Sequence, residues 1–180
     1  MTARTVLQPA DITRALTRIS HEILESQRGS ALASGADLVI LGIPTRGTIL
    51  AQRIGTILNG IEAGSGSVGT LDVTMYRDDL AGQPTRAPSP TQLPGGGIDG
   101  KTVVLVDDVL YSGRTIRAAL DALADHGRPR AVRLAVLVDR GHRELPIRAD
   151  CVGKNLPTSA DEQIRVRLEE TDGFEGVDIE

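Results

Sequence analysis

The chain has 180 residues, 40% of them apolar and 24% charged, the balance of one globular domain large enough to bury a core without metals or disulfides. Only 2% are aromatic and Trp is absent, so the core must come from Val, Ile, Leu and Ala, which favours a helix-covered parallel sheet over a β-sandwich. A single cysteine, Cys151, excludes an intrachain disulfide and a multi-cysteine metal site, while the net charge of −4 argues against indiscriminate nucleic-acid binding.

After Pro9, Ile12, Leu16, Ile19 and Ile23 recur at helical spacing, predicting an amphipathic helix over about 10–28. The apolar run 37–43 suits a buried strand. A second helix is expected from about Gly47, with Leu50, Ile54, Ile57 and Ile61 on one face and fraying at Asn59-Gly60. From 68 to 76, Leu71, Val73 and Met75 alternate with Asp72, Thr74 and Tyr76, the period of a half-covered strand. Residues 77–99 carry Arg-Asp-Asp, four prolines and three consecutive glycines without periodicity, and are expected to form a mobile lid loop. Lys101–Val106 reads as a buried strand; Ile116, Ala119, Leu120 and Leu123 mark a helix ending near Gly127; Val132–Val138 reads as another strand. A loop-rich stretch over 139–159, a short strand over 164–168 and a peripheral acidic tail over about 169–180 complete a single domain. Alternating helices and strands indicate an α/β fold with a mostly parallel sheet flanked by helices. No apolar run reaches membrane-spanning length and no signal-peptide core is present, which points to a cytoplasmic protein.

In such a sheet, ligands sit beyond the carboxyl ends of the strands. Three segments leave that edge: 44–48, 107–115 and 139–144. In the second, Asp107 and Asp108 close an apolar strand and Tyr111-Ser-Gly-Arg-Thr115 opens a helix. Successive N–H groups at such a turn form an anion nest, to which Ser112 and Thr115 add hydroxyls and at which Gly113 permits close approach. Two carboxylates beside a phosphate nest need another partner, and a ribose diol supplies hydroxyl donors.

Val106-Asp-Asp-Val-Leu-Tyr-Ser-Gly-Arg-Thr115 resembles the signature of type I phosphoribosyltransferases. Ala15–Glu22, Tyr76–Leu80, Leu137–Asp150 and Gly153–Ser159 resemble, within that family, pyrimidine operon attenuators that have uracil phosphoribosyltransferase activity; the likeness runs from about 6 to 170. It implies the type I fold with a small hood, and transfer of ribose 5-phosphate from phosphoribosyl diphosphate to uracil, giving UMP and pyrophosphate, with Mg²⁺ carried by the diphosphate rather than by fixed protein ligands. Asp107 and Asp108 would hold the ribose diol, and Val109, Leu110, Tyr111, Ser112, Gly113, Arg114 and Thr115 the 5′-phosphate loop. Thr45, Arg46 and Gly47 would face the pyrophosphate, Arg77 would close over it from the lid, and Asp139 and Arg140 would border the base. Asp78 and Asp79 are either solvated lid charges or metal-linked. Ser112 stands where the family usually has Thr. Purine-using relatives carry an Asp where this chain has Tyr111, which argues against a purine and leaves the acceptor of uracil's proton unassigned.

On the first helix Arg14, Thr17, Arg18 and His21 fall on the face opposite the apolar stripe. Spacing alone favours a solvated charged face. The resemblance implies instead that Thr17, Arg18 and His21, with Arg143, Arg148 and Lys154, bind pyrimidine operon leader RNA under control of UMP or UTP, and that the chain forms a homodimer or larger homo-oligomer. A pure phosphoribosyltransferase and a nucleotide sensor without turnover remain alternatives. Gly64-Ser-Gly-Ser-Val-Gly69 matches a dinucleotide fingerprint but follows a helix and opens a strand, the wrong context. Cys151 lacks a paired base and reads as inert.

Overall fold

A computed structural model describes residues 3–28, 37–78 and 87–180. The elements run β1 (Arg4–Leu7), α1 (Pro9–Arg28), β2 (Leu38–Gly42), α2 (Arg46–Ile61), β3 (Ser67–Thr70), a 3-10 turn (Thr74–Tyr76), β4 (Thr102–Leu110), α3 (Arg114–His126), β5 (Ala131–Asp139), β6 (Cys151–Asn155), β7 (Ile164–Arg167), α4 (Glu169–Asp172) and β8 (Gly176–Ile179). Five strands form a sheet of order β3-β2-β4-β5-β6, parallel throughout. A second, antiparallel sheet of order β1-β8-β7 caps one side as the hood.

Period-two side-chain placement divides each central strand between two cores. Ile40, Val104, Val106, Ala135 and Leu137 face α1 and α2, together with Ile12, Leu16, Ile19 and Ile23 of the first helix and the hood residues Leu7, Val166 and Val177. Val39, Leu41, Val103, Leu105, Leu134 and Val136 face α3, where Ile116, Ala118, Ala119, Ala122 and Leu123 are buried. Burial of both sheet faces is why β2, β4 and β5 read as continuous apolar runs.

Several elements depart from the sequence expectations. The strand expected over 68–76 stops at Thr70. There the Leu71 N–H donates to Gly42 O, and the Asp72 carboxylate takes both the N–H and the hydroxyl of Thr74, turning the chain into the 3-10 helix. Helix α2 does not fray at Asn59: that amide donates to Gly55 O and Gly66 O and its oxygen accepts the Gly64 N–H, stitching the last turn to the following loop. Leu58 takes the core position expected for Ile61, and Leu120 faces outward. The expected lid falls partly on 79–86, Asp79 included, which lie outside the described residues. Its later part is anchored, since Gln92 exchanges backbone hydrogen bonds with Thr70 and Ile98 is fully buried. β6 lies in the stretch expected to be loops. The acidic tail is not peripheral: β8 is the central strand of the hood, with Val177 and Ile179 buried between β1 and β7.

Candidate active site

Parallel strands deliver the β2–α2, β4–α3 and β5–β6 connections to one edge of the sheet. Two glycines set how closely the first two approach. A Cβ on Gly42 would lie 2.4 Å from Thr48 Cα, and one on Gly47 would lie 2.5 Å from Val106 O and 3.3 Å from Asp107 Cα. The first turn of α2 therefore rests directly on β4 beside Asp107. The Pro44–Thr45 peptide is cis. Arg46 Nη2 donates to Asp172 Oδ1 at 2.8 Å, while Arg46 Nε and Thr48 Oγ1 are buried without a hydrogen-bond partner among the described residues. Orphaned buried donors at a helix N-terminus are suited to an anion that satisfies them. Thr48 was not among the sequence candidates; its place one residue beyond Thr45-Arg-Gly47 was the available signal.

β4 runs on to Leu110, so Asp107 and Asp108 lie within the strand rather than closing it. Asp107 is buried, and its carboxylate accepts the Asp108 N–H at 2.9 Å. Burial, and then the neighbouring Asp108 charge, push its pKa well above the ordinary carboxylate value, with Arg77 opposing the shift. Such a group favours a hydrogen-bond donor or a cation nearby. Beyond it, Gly113 adopts a left-handed conformation (φ 93°) as the N-cap of α3. Ser112 Oγ accepts the Arg114 N–H at 3.3 Å, and Arg77 Nη1 donates to Thr115 Oγ1 at 3.2 Å. The walls enclose a cavity of about 300 Å³, lined by Arg77, Asp107, Val109 to Ile116 and Glu144. Arg114 ties it to its flanks, donating to Glu144 at 2.6 Å and to Asp78 at 2.8 Å. That pairing gives Asp78 a partner other than solvent.

The third connection folds over Tyr111. The Arg140 guanidinium lies 4.2 Å from the Tyr111 ring centroid and is held from behind by Thr158 Oγ1 (3.0 Å) and Ser159 O (3.1 Å). His142 meets the same ring edge-on, with centroids 6.2 Å apart. Asp139 accepts the Gly141 N–H and pairs with Arg143. Arg143 also donates to the carbonyls of Tyr111, Gly141 and Ile147. These contacts tie Arg143 to the loop, with its side chain still partly exposed. Thr158 and Glu144, missed as individual candidates, belong to the site through these contacts.

Of the remaining basic-face residues, Thr17, Arg18, His21, Arg148 and Lys154 are exposed. Arg18 donates to the carbonyls of Val152 (3.0 Å) and Gly153 (2.7 Å), joining α1 to β6, and pairs with Glu22. Cys151 is buried and its thiol is pushed up to about 12 by burial and then by Glu22, so it is unreactive at neutral pH.

The phosphoribosyl transferase domain family matches residues 5–167. Bifunctional protein PyrR of Leifsonia xyli is 70% identical over all of this chain and 98% of the relative. That of Streptomyces coelicolor is 63% identical over 97% of this chain and 88% of the relative, and that of Mycobacterium tuberculosis 55% identical over 98% and 93%. The chain belongs to the PyrR family of phosphoribosyl transferases. Among solved structures, the hypoxanthine phosphoribosyltransferase of Trypanosoma cruzi matches with a TM-score of 0.72 at 16% identity, over 98% of this chain and 95% of that one. The Staphylococcus aureus enzyme matches with a TM-score of 0.68 at 19% identity, over 97% and 90%. At those identities the likeness concerns the fold, which in this PyrR-family chain is that of the type I phosphoribosyltransferases. No helix among the described residues is long and apolar enough to cross a membrane.

Proposed function

We propose that the protein is a pyrimidine-responsive RNA-binding regulator that also converts uracil and phosphoribosyl diphosphate to UMP and pyrophosphate. The observation that carries the enzymatic half is the 300 Å³ cavity, in which a buried carboxylate, a left-handed glycine nest and a capping Arg–Thr pair converge. The 5′-phosphate is assigned to Ser112–Thr115 and the ribose diol to Asp107 and Asp108. The diphosphate is assigned to the turn of Thr45, Arg46 and Gly47, where the unpartnered Arg46 Nε and Thr48 hydroxyl supply donors. The C1′–oxygen bond to diphosphate breaks, the bond from C1′ to uracil N1 forms, and the N1 proton departs to an acceptor still unassigned. The reacting carbon gains oxocarbenium character, so positioning and charge stabilisation do the catalytic work. Arg77, which lines the cavity and donates to Thr115 Oγ1, is the cation assigned to neutralise the leaving diphosphate.

Among the described residues no group of three or more His, Cys, Asp or Glu side chains converges. The paired carboxylates of Asp107 and Asp108 nonetheless fit a hard cation, because they are oxygen donors and burial, then the Asp108 charge, already raise the proton affinity of Asp107. A Mg²⁺ arriving on phosphoribosyl diphosphate would lie beside them and withdraw charge from the leaving group. The base is assigned to the space bordered by Tyr111, Asp139 and Arg140, and a homo-oligomer is expected for the assembled protein.

The regulatory half rests on the high identity to proteins named bifunctional and on the exposed Thr17, Arg18, His21, Lys154 and Arg148, with the partly exposed Arg143 assigned to the same surface. Its test is retention of the protein's own pyrimidine operon leader RNA with and without UMP, across a salt series. Retention is expected to rise with UMP and to fall steeply with salt, because phosphate contacts release counterions. An Arg18→Ala, Arg148→Ala double variant that still makes UMP should lose this RNA; undiminished retention would dispose of the face.

A further inference from the structure

The tail beyond Leu168 carries none of the sequence motifs, yet it touches the turn to which diphosphate is assigned. Arg46 meets Asp172 at 2.8 Å, with the two side chains only 29% and 20% exposed. The second Asp172 oxygen accepts the Leu168 N–H at 2.9 Å, so the carboxylate is fixed by its own backbone before it meets the guanidinium. Burial alone would raise the Asp172 pKa, but that N–H and the Arg46 charge hold it below the ordinary value. Two turns along α2, Glu170 grips Arg53 through both oxygens (2.9 and 2.7 Å), and Glu175 pairs with it as well. α4 is thereby latched to α2 at two points, of which only the first is at the site.

Asp172 takes Nη2 of Arg46 and leaves Nε buried without a partner. The contact therefore orients the guanidinium without exhausting it. A free arginine loses rotamer entropy when it is ordered, and a group already held in place does not incur that loss when ligand arrives. We propose that Asp172 is a positioning residue for the diphosphate end of the substrate, presenting the remaining N–H groups of Arg46 to it. It touches no reacting atom. This rests on the assignment of diphosphate to the Arg46 turn.

The test is steady-state UMP formation by the full chain with phosphoribosyl diphosphate and uracil varied separately, alongside thermal unfolding of each variant. Asp172→Asn should raise KM for phosphoribosyl diphosphate about 5- to 10-fold, in keeping with loss of one charge-assisted contact, with kcat and KM for uracil near wild type. Asp172→Glu, which keeps the charge but moves it by one methylene, should give a smaller rise in the same constant and reports the effect even where Asn is not tolerated. In an Arg46→Ala background Asp172→Asn should add nothing. Glu175→Gln loosens the same segment through Arg53 and should lower Tm while leaving both KM values unchanged. The inference is overturned if Arg46→Ala raises KM for phosphoribosyl diphosphate while both Asp172 variants leave it at wild type, or if Glu175→Gln reproduces their rise. If Arg46→Ala itself has no effect on that constant, the diphosphate assignment fails, and the role of Asp172 fails with it.

Discussion

Asp107 shows how a candidate site residue can work against the fold that holds it. Its pKa is raised by burial and by Asp108, so the folded state binds its proton more tightly than the unfolded chain does. The stabilising effect of that proton is fully present below the unfolded carboxylate pKa and is lost as pH rises through the higher folded pKa. As pH rises through that range the site must ionise a buried group, at a cost in stability. Asp107→Asn keeps the oxygen that accepts the Asp108 N–H and removes the charge. It is expected to raise Tm by an amount that grows with pH, while lowering kcat/KM roughly 100-fold through loss of a charged acceptor. Thermal melts at several pH values and initial rates check both; a variant whose Tm relative to wild type falls as pH rises would contradict this account of the site's electrostatics. Tyr111 acts differently, as the surface on which Arg140 is stacked. Tyr111→Ala should raise KM for uracil about 5-fold, the worth of one cation–π contact, and leave KM for phosphoribosyl diphosphate unchanged. Equal effects on both substrates would detach Tyr111 from the base.

Among elements, the junction of α2 with β4 is the least forgiving. Gly47→Ala would drive a methyl to 2.5 Å from Val106 O, backbone against backbone. The expected loss is about 3 kcal/mol, seen as a Tm lower by about 10 °C for a chain of this length, together with weakened diphosphate binding as α2 lifts away from Asp107. An unchanged Tm would mean that the close approach is not required. The same scale shows what sequence could reveal. β2, β4 and β5 were legible because burial on both faces leaves continuous apolar runs, and α1 because its stripe is regular. The turn at Gly113 that opens α3 was legible because a left-handed N-cap needs a particular residue type at one position. Other parts left no such trace. β6 is five residues long with Gly153 and Lys154 inside it, and β3 was overextended because the Asp72–Thr74 hydrogen bonds that end it are invisible to periodicity. The contacts of Arg143 with Asp139 and with the carbonyls of Tyr111, Gly141 and Ile147 join two connections distant in sequence, which spacing does not encode.

For the molecule as a whole, the hood is what sequence described least well. β1 and β8 lie at opposite ends of the chain, and their pairing, Arg4 with Ile179 and Leu7 with Val177, is a long-range fact that no local pattern encodes. An acidic composition made the tail look peripheral, yet its carboxylates are matched to Arg46, Arg53 and Arg167 on neighbouring elements. The two sheets thus divide the work: the parallel one carries the turns assigned to phosphate and ribose, and the antiparallel one, through α4, reaches the turn assigned to diphosphate. The central claim is that this edge takes phosphoribosyl diphosphate and a pyrimidine. The most direct measurement is a competition in which the protein, Mg²⁺ and phosphoribosyl diphosphate meet equimolar labelled uracil, hypoxanthine and guanine, with the nucleotides formed separated and counted. UMP is expected as the dominant product; IMP or GMP in its place, or no nucleotide at all, would contradict it.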